Sequence, residues 1–469
     1  MQTLDMIVIG AGLAGLSAAN RAAQSGLKVM VLEQSSDEAY LCNSRYTGGL
    51  FHIAMDDMLA KPEAARANLE AMTSGETKPE LADALVANAE RTINWLKSMG
   101  IKFIVAGHEG FRRNSLAPPG VRQTGLNWRG RAGDVMLRTL EKQLARHGGC
   151  IIRGVEAKSL IMEDGRCVGV EAEIDRQKIE YRAHAVVIAD GGFQANPELV
   201  ARFISKRPDR LLQRNAQSGK GAGIKMAESV GAALVGMDRF YGHIQHRDAM
   251  TDQGLWPYPV LDSLATAAIV VDGNGHRFCD EGGGGIYVTN EIARIEDPLS
   301  AVIIFDKPIW EGPGTDWLLP ANPYLLSAGG KVIKADSIEA LAKAIGIDAQ
   351  ALSKTIADYN DSLESGTPAA GQPARSTTKY KAWPIKTGPF YAVPVCAGVT
   401  YTMGGIAIDG NMRVLDGQGS PIRGLFAAGA TTGGLEGGGY AGYSGGLSKA
   451  SVFGMLAGEA VATESATVP

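Results

Sequence analysis

Residues 6–33 read MIVIGAGLAGLSAANRAAQSGLKVMVLE, and this stretch decides the fold prediction. A short apolar run ends at Gly10, where three glycines begin the spacing G-x-G-x-x-G. A helix rich in small residues, a second apolar run and a terminal acid, Glu33, follow in that order. The succession of strand, glycines, helix, strand and acid is typical of a βαβ unit that binds a dinucleotide.

Each part of this unit has its own expected role. Gly10 permits a tight turn, Gly12 lets the backbone approach a pyrophosphate, and Gly15 lets helix and strand pack closely. The helix N-terminus offers free N–H groups and the positive end of its dipole to phosphates. Glu33 follows the last glycine at a distance where a carboxylate accepts hydrogen bonds from a ribose. The stretch therefore predicts a dinucleotide site, against the alternative of an empty βαβ unit.

Composition narrows the possible function classes. A chain of 469 residues predicts roughly two or three domains. Its 60 glycines make up roughly 13% of the 469 residues, against a usual share of about 7%. They cluster at 281–285, 404–405 and 429–446, which suggests backbone packed against a large ligand. A net charge of −4 without a basic run argues against a nucleic-acid partner.

Location and redox state follow from what the sequence lacks. No apolar stretch reaches the ~18 residues that a membrane span needs. The first predicted strand begins at residue 6 and leaves no room for a signal peptide, so we expect a cytoplasmic protein. The 5 cysteines stand singly and the histidines show no metal-ligand spacing, so we predict reduced structural thiols and no metal.

The pattern along the chain predicts an α/β fold with an insertion. Helical periodicity covers 80–99 and 133–147, and a β-meander follows over 150–190. The end of that meander predicts two separate strands, 179–183 and 185–192, the second of which ends in a glycine pair. From about 235 to 365, short strands alternate with aromatic, histidine, proline and glycine-rich loops. We interpret this region as an inserted second domain.

Further motifs follow the first in a characteristic order. They are Asn43-Ser-Arg-Tyr-Thr-Gly-Gly49, Ala189-Asp-Gly-Gly192, Gly221-Ala-Gly223, Arg277-Phe278 with Glu281, Thr402-Met-Gly-Gly405 and Ala427-Ala-Gly429. The ordered set resembles the flavoprotein family of soluble fumarate reductases and succinate dehydrogenase flavoprotein subunits. That family includes tricarballylate dehydrogenases and 3-ketosteroid dehydrogenases, and the chain looks most similar to this branch. The resemblance covers nearly the whole chain.

The resemblance implies a fold and a cofactor. A Rossmann-like FAD-binding domain would be built from both chain ends, 1–234 and 366–469, with an α+β capping domain at 235–365. The implied FAD is non-covalent, because membrane-bound relatives attach it to a histidine in the segment equivalent to 43–49, which holds none here. Ala430 stands where the family usually has Glu, so one contact to the ribityl chain is missing.

The resemblance implies FAD contacts from several segments of the chain. These segments would approach four parts of the cofactor, which are the pyrophosphate with the ribose, the flavin ring, the adenine, and the ribityl chain with the pyrimidine edge. The residues are Gly10, Gly12, Ala14, Gly15, Glu33, Gln34, Ser44, Thr47, Gly48, Gly49, Val155, Asp190, Gly191, Gly192, Gly429, Ala430, Ser444, Gly445, Gly446 and Leu447.

Three departures from the family argue against fumarate as the substrate. Trp310 takes the place of an arginine that donates a proton in fumarate reductases, and Tyr401 replaces a substrate-binding histidine. The segment Glu436–Tyr443 replaces the His-Gly-Ala-Asn-Arg that clamps a dicarboxylate. An arginine orients a carboxylate through a bidentate pair, and the segment lacks it.

Tyrosines are the main candidates for catalysis. Tyr401, Tyr440 and Tyr443 lie in segments that the family packs against the flavin. A phenol donates to a carbonyl, or acts as a base where its surroundings lower a pKa of about 10. The resemblance to 3-ketosteroid dehydrogenases implies both roles, because those enzymes use tyrosines as base and as carbonyl donor. The alternative is that these rings only pack on a glycine-rich loop.

Other polar candidates lie in the insertion. His243 or His246 would contact a substrate oxygen, with a structural histidine as the alternative. Arg294 is a candidate partner for a substrate carboxylate.

These observations favour an FAD-dependent dehydrogenase, or desaturase. It would remove a proton and a hydride across a C–C bond next to a carbonyl or carboxylate of a small or alicyclic molecule. One alternative is a flavin-dependent reductase of an enoate- or fumarate-like C=C bond, and another is a non-catalytic flavin-binding protein. The electron acceptor is left open between a quinone, an electron-transfer protein and oxygen.

Overall fold

The computed structural model describes residues 4–106, 113–121, 126–316, 319–368 and 371–467. The strands within these ranges are β1 (Leu4–Ile9), β2 (Val29–Glu33), β3 (Leu50–Ile53), β4 (Asp56–Asp57), β5 (Phe103–Ala106), β6 (Arg113–Leu116), β7 (Cys150–Arg153), β8 (Glu156–Glu163), β9 (Arg166–Ile174), β10 (Gln177–Ile188), β11 (Leu212–Gln213), β12 (Leu234–Val235), β13 (Phe240–His246), β14 (Ile269–Val271), β15 (Val302–Asp306), β16 (Ile333–Ala335), β17 (Phe390–Thr402), β18 (Gly405–Ile406), β19 (Arg413–Leu415) and β20 (Pro421–Ala427).

The helices in the same ranges are α1 (Leu13–Gln24), α2 (Pro62–Met72), α3 (Pro79–Ser98), α4 (Ala132–Arg146), α5 (Pro197–Phe203), α6 (Ala222–Ser229), α7 (Asp262–Ala267), α8 (Gly285–Ile292), α9 (Lys307–Glu311), α10 (Ala321–Ser327), α11 (Ile338–Ile345), α12 (Ala349–Glu364) and α13 (Gly446–Thr467). The helices predicted over 80–99 and 133–147 are confirmed as α3 and α4. Pro79 opens α3, where its fixed φ suits the first helical position.

The largest sheet holds the predicted dinucleotide unit. Strands β7, β2, β1, β10 and β20 lie side by side and all are parallel. Ile7 pairs with Met30 of β2 and Val186 of β10, and these strands are almost continuously apolar because helices cover the sheet. Because β20 comes from the last part of the chain, both chain ends contribute to one sheet.

The prediction of separate strands at 179–183 and 185–192 was wrong. A single strand, β10, runs through the first segment into the second and ends at Ile188. Its first half, Gln177–Arg182, pairs antiparallel with β9, and from Ala183 onward it pairs parallel with β1. The apparent gap in the apolar pattern marks the point where the strand leaves the half-exposed meander and enters the buried sheet.

The C-terminal helix packs closely against the helix of the first motif. A Cβ at Gly454 of α13 would lie 2.3 Å from the carbonyl oxygen of Ala14, and one at Gly458 would lie 2.4 Å from that of Ala18. Two glycines four residues apart thus let the backbones of α1 and α13 touch. This contact brings the segment before α13 next to the dinucleotide loop.

A second sheet is organised around the long strand β17. β17 pairs with β11, β13, β15 and β16, and β15 also pairs with β14. The strands β11 and β17 take part although they lie outside 235–365. The domain boundaries stay a prediction, and the sheet places Tyr401, near the end of β17, beside β13. Of the helices in the described ranges, none has the length and apolar character of a membrane span.

Candidate active site

A cavity of about 790 Å³ lies between the carboxyl ends of the parallel strands and the second sheet. Its walls combine the loops after β1, β2 and β10 with β13, the start of α7, the glycines before α8 and the segment before α13. Ligands of open parallel sheets bind beyond the carboxyl ends of the strands. The position therefore agrees with the dinucleotide site predicted from the first motif.

The glycine loop has the geometry that the motif predicts. Gly10 has φ +98°, a left-handed conformation that glycine adopts without strain. A Cβ at Gly15 would lie 1.9 Å from the carbonyl oxygen of Gly10, so α1 can approach β1 only with glycine there. The predicted packing role of Gly15 follows from this contact, and Gly15 is not among the residues that line the cavity.

The first turn of α1 is open toward an anion. Gly12 is its N-cap and supplies no side chain, and the first turn holds no acid. The N–H of Leu13 donates to Ser44 Oγ at 3.1 Å. The free N–H groups and the helix dipole suit a pyrophosphate. This end of the cavity therefore fits the phosphate groups of FAD.

Glu33 ends β2 and is nearly buried at the cavity wall. Burial raises the pKa of its carboxyl, while hydrogen bonds from the backbone N–H groups of Ser35 and Ala11 oppose that shift. These donors lie 2.9 and 3.1 Å from the two carboxylate oxygens. They fix the carboxylate, whose remaining lone pairs suit ribose hydroxyls.

Asp190 follows β10 at the same end of the sheet. One carboxylate oxygen accepts a hydrogen bond from the N–H of Gly223 at 2.7 Å. Burial raises the pKa of Asp190 to about 6, and the hydrogen bonds that it accepts limit the shift.

The structure brings most of the predicted FAD contacts to the one cavity. The predicted residues that line it are Gly10, Gly12, Ala14, Glu33, Gln34, Ser44, Thr47, Gly48, Gly49, Val155, Asp190, Gly191, Gly192, Gly429, Ala430, Gly446 and Leu447. Ser444 and Gly445 stand behind this lining. Ser444 bonds to Glu436, and a Cβ at Gly445 would lie 2.1 Å from the His52 carbonyl oxygen.

Three tyrosines form a cluster in the wall opposite the glycine loop. Tyr241 stacks on Tyr443 with ring centroids 3.8 Å apart and an interplanar angle of 9°. The ring of Tyr401 lies 5.6 Å from Tyr241 and 6.1 Å from Tyr443. All three line the cavity. Tyr440 also lines it, but it is 45% exposed and packs on Tyr287.

Tyr401 is tied to a buried ion pair. Its hydroxyl donates to Glu436 Oε1 at 2.7 Å, and Ser444 donates to the same oxygen through its N–H and its hydroxyl. Lys449 Nζ donates to Glu436 Oε2 at 3.1 Å and to the carbonyl of Thr432 at 2.9 Å. Burial and the neighbouring carboxylate raise the pKa of Tyr401 well above its ordinary value.

Tyr443 has a different set of partners. Its hydroxyl oxygen accepts a hydrogen bond from the N–H of Gly446 at 3.1 Å. Burial, then the proximity of Tyr241, raises the pKa of Tyr443 well above its usual range. His52 packs edge-on against its ring, with centroids 5.1 Å apart, and also lines the cavity.

A hydrogen-bonded series leads away from Tyr241. Its hydroxyl lies 2.9 Å from His243 Nε2, and His243 Nδ1 lies 2.6 Å from Asp262 Oδ2. The second oxygen of Asp262 accepts from the N–H of Ile244 at 2.9 Å. Tyr241, His243 and Asp262 all line the cavity, and both ring nitrogens of His243 are engaged by its two neighbours.

Other predicted residues lie elsewhere in the fold. His246 is buried, accepts a hydrogen bond from the N–H of Asp248 and lies 3.1 Å from the carbonyl oxygen of Lys331. These contacts are those of a structural histidine, which was the alternative to a substrate contact. Arg294 pairs with Asp238 and Glu291. Neither His246 nor Arg294 is among the described residues that line the cavity.

Trp310 lies apart from the cavity lining. It is buried, with its ring 5.7 Å from Phe305 and 6.1 Å from Tyr391. The preceding acid, Asp306, accepts hydrogen bonds from the backbone of Ile309, Lys386 and Thr387. The segment that resembles the proton-donor region of fumarate reductases therefore has a packing role here.

The cations among the described lining residues are Arg214, Lys220, Lys379 and Lys449. Among the described lining residues the one guanidinium is Arg214, which donates to the carbonyl of Pro257 at 3.1 Å and to Thr400 Oγ1 at 3.0 Å. Aromatic and apolar side chains fill much of the remaining wall: Met55, Met72, Tyr46, Trp256, Tyr258, Val260, Ile286 and Tyr380. In the described ranges no group of His, Cys, Asp and Glu is placed to hold a metal ion.

Sequence reasoning missed several residues of this site. Tyr241 stands two positions before the predicted His243 on β13, so the alternation along the strand could have indicated that the two share a face. Glu436 and Lys449 gave no periodic signal, and their pairing depends on the turn before α13. Asp262 lies 19 positions after His243, and only the fold brings the two together.

Comparisons with known proteins agree with the geometry. A family model described as an FAD binding domain matches residues 5–447. The NADH:fumarate oxidoreductase of Klebsiella pneumoniae is 28% identical over 98% of this chain, which spans 48% of that protein's length. The 4-oxocyclohexanecarboxylate 2-dehydrogenase of Sinomonas cyclohexanicum is 26% identical over 99% of this chain and 94% of its own length.

The fold is also that of a solved dehydrogenase. The structure of 3-ketosteroid delta1-dehydrogenase from Sterolibacterium denitrificans superposes with a TM-score of 0.75, over 99% of this chain and 100% of that one, at 22% identity. The resemblance stated from the motifs is therefore confirmed. With a family match over most of its length, the chain belongs to the FAD-binding flavoprotein family of fumarate reductases and succinate dehydrogenases.

Proposed function

We propose that the chain is an FAD-dependent dehydrogenase that introduces a C=C bond next to the carbonyl group of a small alicyclic ketone. The observation that carries the proposal is the cluster of Tyr241, Tyr401 and Tyr443, whose phenols line the same cavity as the dinucleotide loop. In this proposal residues 235–365 form the cap over the flavin, and FAD is held without a covalent bond.

The residues of the glycine loop, Glu33 and the segment 43–49 would hold the cofactor. FAD, when bound there, supplies the acceptor for a hydride from the substrate carbon. The chain must supply the rest, which is a polarised carbonyl, a proton acceptor for the neighbouring carbon, and exclusion of water from the reacting atoms.

Tyr443 is the carbonyl donor in this proposal. Its oxygen accepts the Gly446 N–H and its hydroxyl also bonds to that of Tyr241, so a bound ketone would take the hydrogen that now faces Tyr241. A raised pKa keeps this phenol protonated at neutral pH, as a donor requires. Tyr401 is less suited to the same role, because its hydrogen is already donated to Glu436.

The wall chemistry favours a ketone over a dicarboxylate. Binding two carboxylates calls for paired cations, preferably bidentate arginines. Arg214, the one guanidinium among the described lining residues, is committed to Pro257 and Thr400. Lys449 is paired with Glu436, and Lys220 and Lys379 offer point charges without the bidentate geometry of an arginine. Aromatic and apolar side chains suit an alicyclic ring, and a curated relative is named for a cyclic oxo acid.

A second candidate is reduction of an activated C=C bond. Its support is that the relatives include proteins named for the reduction of fumarate and acrylate. Because the chain spans only 48% and 36% of those two proteins, the electron donor in their names is not assigned to this chain. In either direction the electrons must pass to or from a partner of the flavin, for which a quinone, an electron-transfer protein or oxygen are the candidates.

The test is an anaerobic flavin-bleaching panel. The purified yellow protein is mixed with cyclohexanone, 4-oxocyclohexanecarboxylate, a 3-ketosteroid and succinate, and its visible flavin absorption is followed. We expect a cyclic ketone to bleach the flavin and succinate to leave it unchanged. Reoxidation of the reduced flavin by an enoate, without bleaching by any ketone, would favour the second candidate instead.

A further inference from the structure

We propose that His243 and Asp262 form a proton relay that lets Tyr241 remove the α-proton of the substrate. The inference rests on the proposed function and names the proton acceptor that function needs. It is carried by two short contacts, 2.9 Å from Tyr241 to His243 and 2.6 Å from His243 to Asp262, at the wall of the cavity.

The partners of the imidazole determine its tautomer. Nδ1 faces the carboxylate of Asp262, which accepts hydrogen bonds only, so Nδ1 carries the hydrogen. A neutral imidazole then has a lone pair on Nε2, which accepts the hydrogen of the Tyr241 hydroxyl. The series is therefore oriented so that a proton moves from Tyr241 toward His243.

A neutral tyrosine is a poor base unless its own proton has somewhere to go. For Tyr241 that acceptor is the Nε2 lone pair of the His243 imidazole, 2.9 Å from its hydroxyl. Tyr401 instead donates to Glu436, whose oxygens also receive hydrogen bonds from Ser444 and Lys449. The Glu436 carboxylate is thus shared among several donors, and Tyr401 has no acceptor of its own. Tyr241 is thus the tyrosine of the cluster that is best equipped to act as a base.

The step balances without a further reactant. The C–H bond next to the carbonyl breaks, its proton bonds to the oxygen of Tyr241, and the proton of that hydroxyl bonds to His243 Nε2. The electron pair of the broken bond stays on the substrate as an enolate, which the Tyr443 hydroxyl stabilises. This pair completes the new C=C bond when the neighbouring carbon loses its hydride. The imidazolium that results is paired with Asp262.

Asp262 acts as the positioning residue of the relay. Its carboxylate is fixed by the Ile244 N–H, and a Cβ on Gly285 would lie only 2.3 Å from Asp262 Cγ, so the wall is closely packed around it. The side chain of His243 is 15% exposed and that of Asp262 is 20% exposed. Both side chains therefore keep part of their surface accessible, whereas Tyr401 and Tyr443 are buried.

The test compares His243→Gln and Asp262→Asn with wild type, all as FAD-loaded protein. His276→Gln, an exposed histidine outside the cavity lining, is the matched control. Two rates are measured with 4-oxocyclohexanecarboxylate as the probe. One is anaerobic flavin reduction at saturating probe, and the other is exchange of the hydrogens next to its carbonyl in D₂O, followed by NMR. Flavin content and reduction by dithionite check that the cofactor site is intact.

We expect His243→Gln to lower both rates by about 100-fold or more and Asp262→Asn by roughly 10- to 100-fold. The probe concentration at half saturation and the dithionite reaction should stay near wild type. Wild-type rates in both variants would overturn the relay while leaving the proposed function intact. Exchange that depends on His243 without any flavin bleaching would uphold the relay and overturn the dehydrogenase. Absence of both reactions in wild type would overturn both.

Discussion

The buried pair of Glu436 and Lys449 gives the sharpest stability prediction. Glu436 is 5% exposed and Lys449 is 1% exposed, and they meet at 3.1 Å beside the tyrosine cluster. Replacing Glu436 by Gln keeps an oxygen that can accept from Tyr401 and Ser444. It also puts an amide NH₂ group against the ammonium of Lys449 and leaves that charge buried without its counter-ion.

The expected loss follows from the buried cation. Removing one partner of a buried ion pair costs about 3–5 kcal/mol, because the remaining charge has lost its compensation. The carbonyl of Thr432 still accepts one hydrogen bond from Lys449, which favours the lower end of that range. Glu436→Gln combined with Lys449→Met removes the stranded charge and should recover much of the loss.

Urea unfolding at a fixed excess of FAD measures this effect, followed by circular dichroism and flavin fluorescence. Glu436→Gln should lower the free energy of unfolding by about 3 kcal/mol or more, and the double variant should lie between the single variant and wild type. A single variant within about 1 kcal/mol of wild type, as for an exposed pair, would refute the reasoning. A double variant less stable than the single one would refute it as well.

Four further predictions concern the cofactor and the proposed chemistry. Gly15→Ala should yield protein that has lost most of its FAD, because its Cβ would meet the Gly10 carbonyl at 1.9 Å; a normal flavin-to-protein ratio would contradict this. The raised pKa of Asp190, about 6, favours folding in acid, and that contribution is lost as the pH rises through about 6. Between about pH 4 and pH 7 the free energy of unfolding of the flavin-free wild type should fall by up to about 3 kcal/mol relative to that of Asp190→Asn. Parallel curves of unfolding free energy against pH for the two proteins would count against the shift. Tyr443→Phe should slow flavin reduction by a cyclic ketone about 100- to 1000-fold with FAD still bound, and an unchanged rate would remove Tyr443 as the carbonyl donor. Acid precipitation should release FAD into the supernatant, and a yellow pellet would instead indicate a covalent bond, for which His52 lines the cavity.

The dinucleotide half of the site was predictable because its signals are local. Gly10, Gly15 and Glu33 sit at fixed spacings on a βαβ unit, and each spacing maps onto one geometric demand of the ligand. The structure places the open helix end and the fixed carboxylate where those spacings predict them.

The catalytic half depends on contacts between distant segments. The pairs Tyr241–Tyr443 and His243–Asp262 join β13 to the segment before α13 and to the start of α7. The two members of each pair are too far apart in the sequence for a local pattern to link them. Trp310 shows the opposite difficulty. It stands where fumarate reductases have a proton-donating arginine, but the match of a segment does not give the direction of its side chain, which packs on Phe305.

The central claim is that the tyrosine-lined cavity oxidises a ketone at the flavin. Its most direct test is the anaerobic mixing of FAD-loaded protein with 4-oxocyclohexanecarboxylate, read as visible flavin absorption and as the product by mass spectrometry. The account predicts bleaching together with a product two hydrogens lighter, and much slower bleaching in Tyr443→Phe. Flavin that stays fully oxidised with this and every other cyclic ketone of the panel would contradict it.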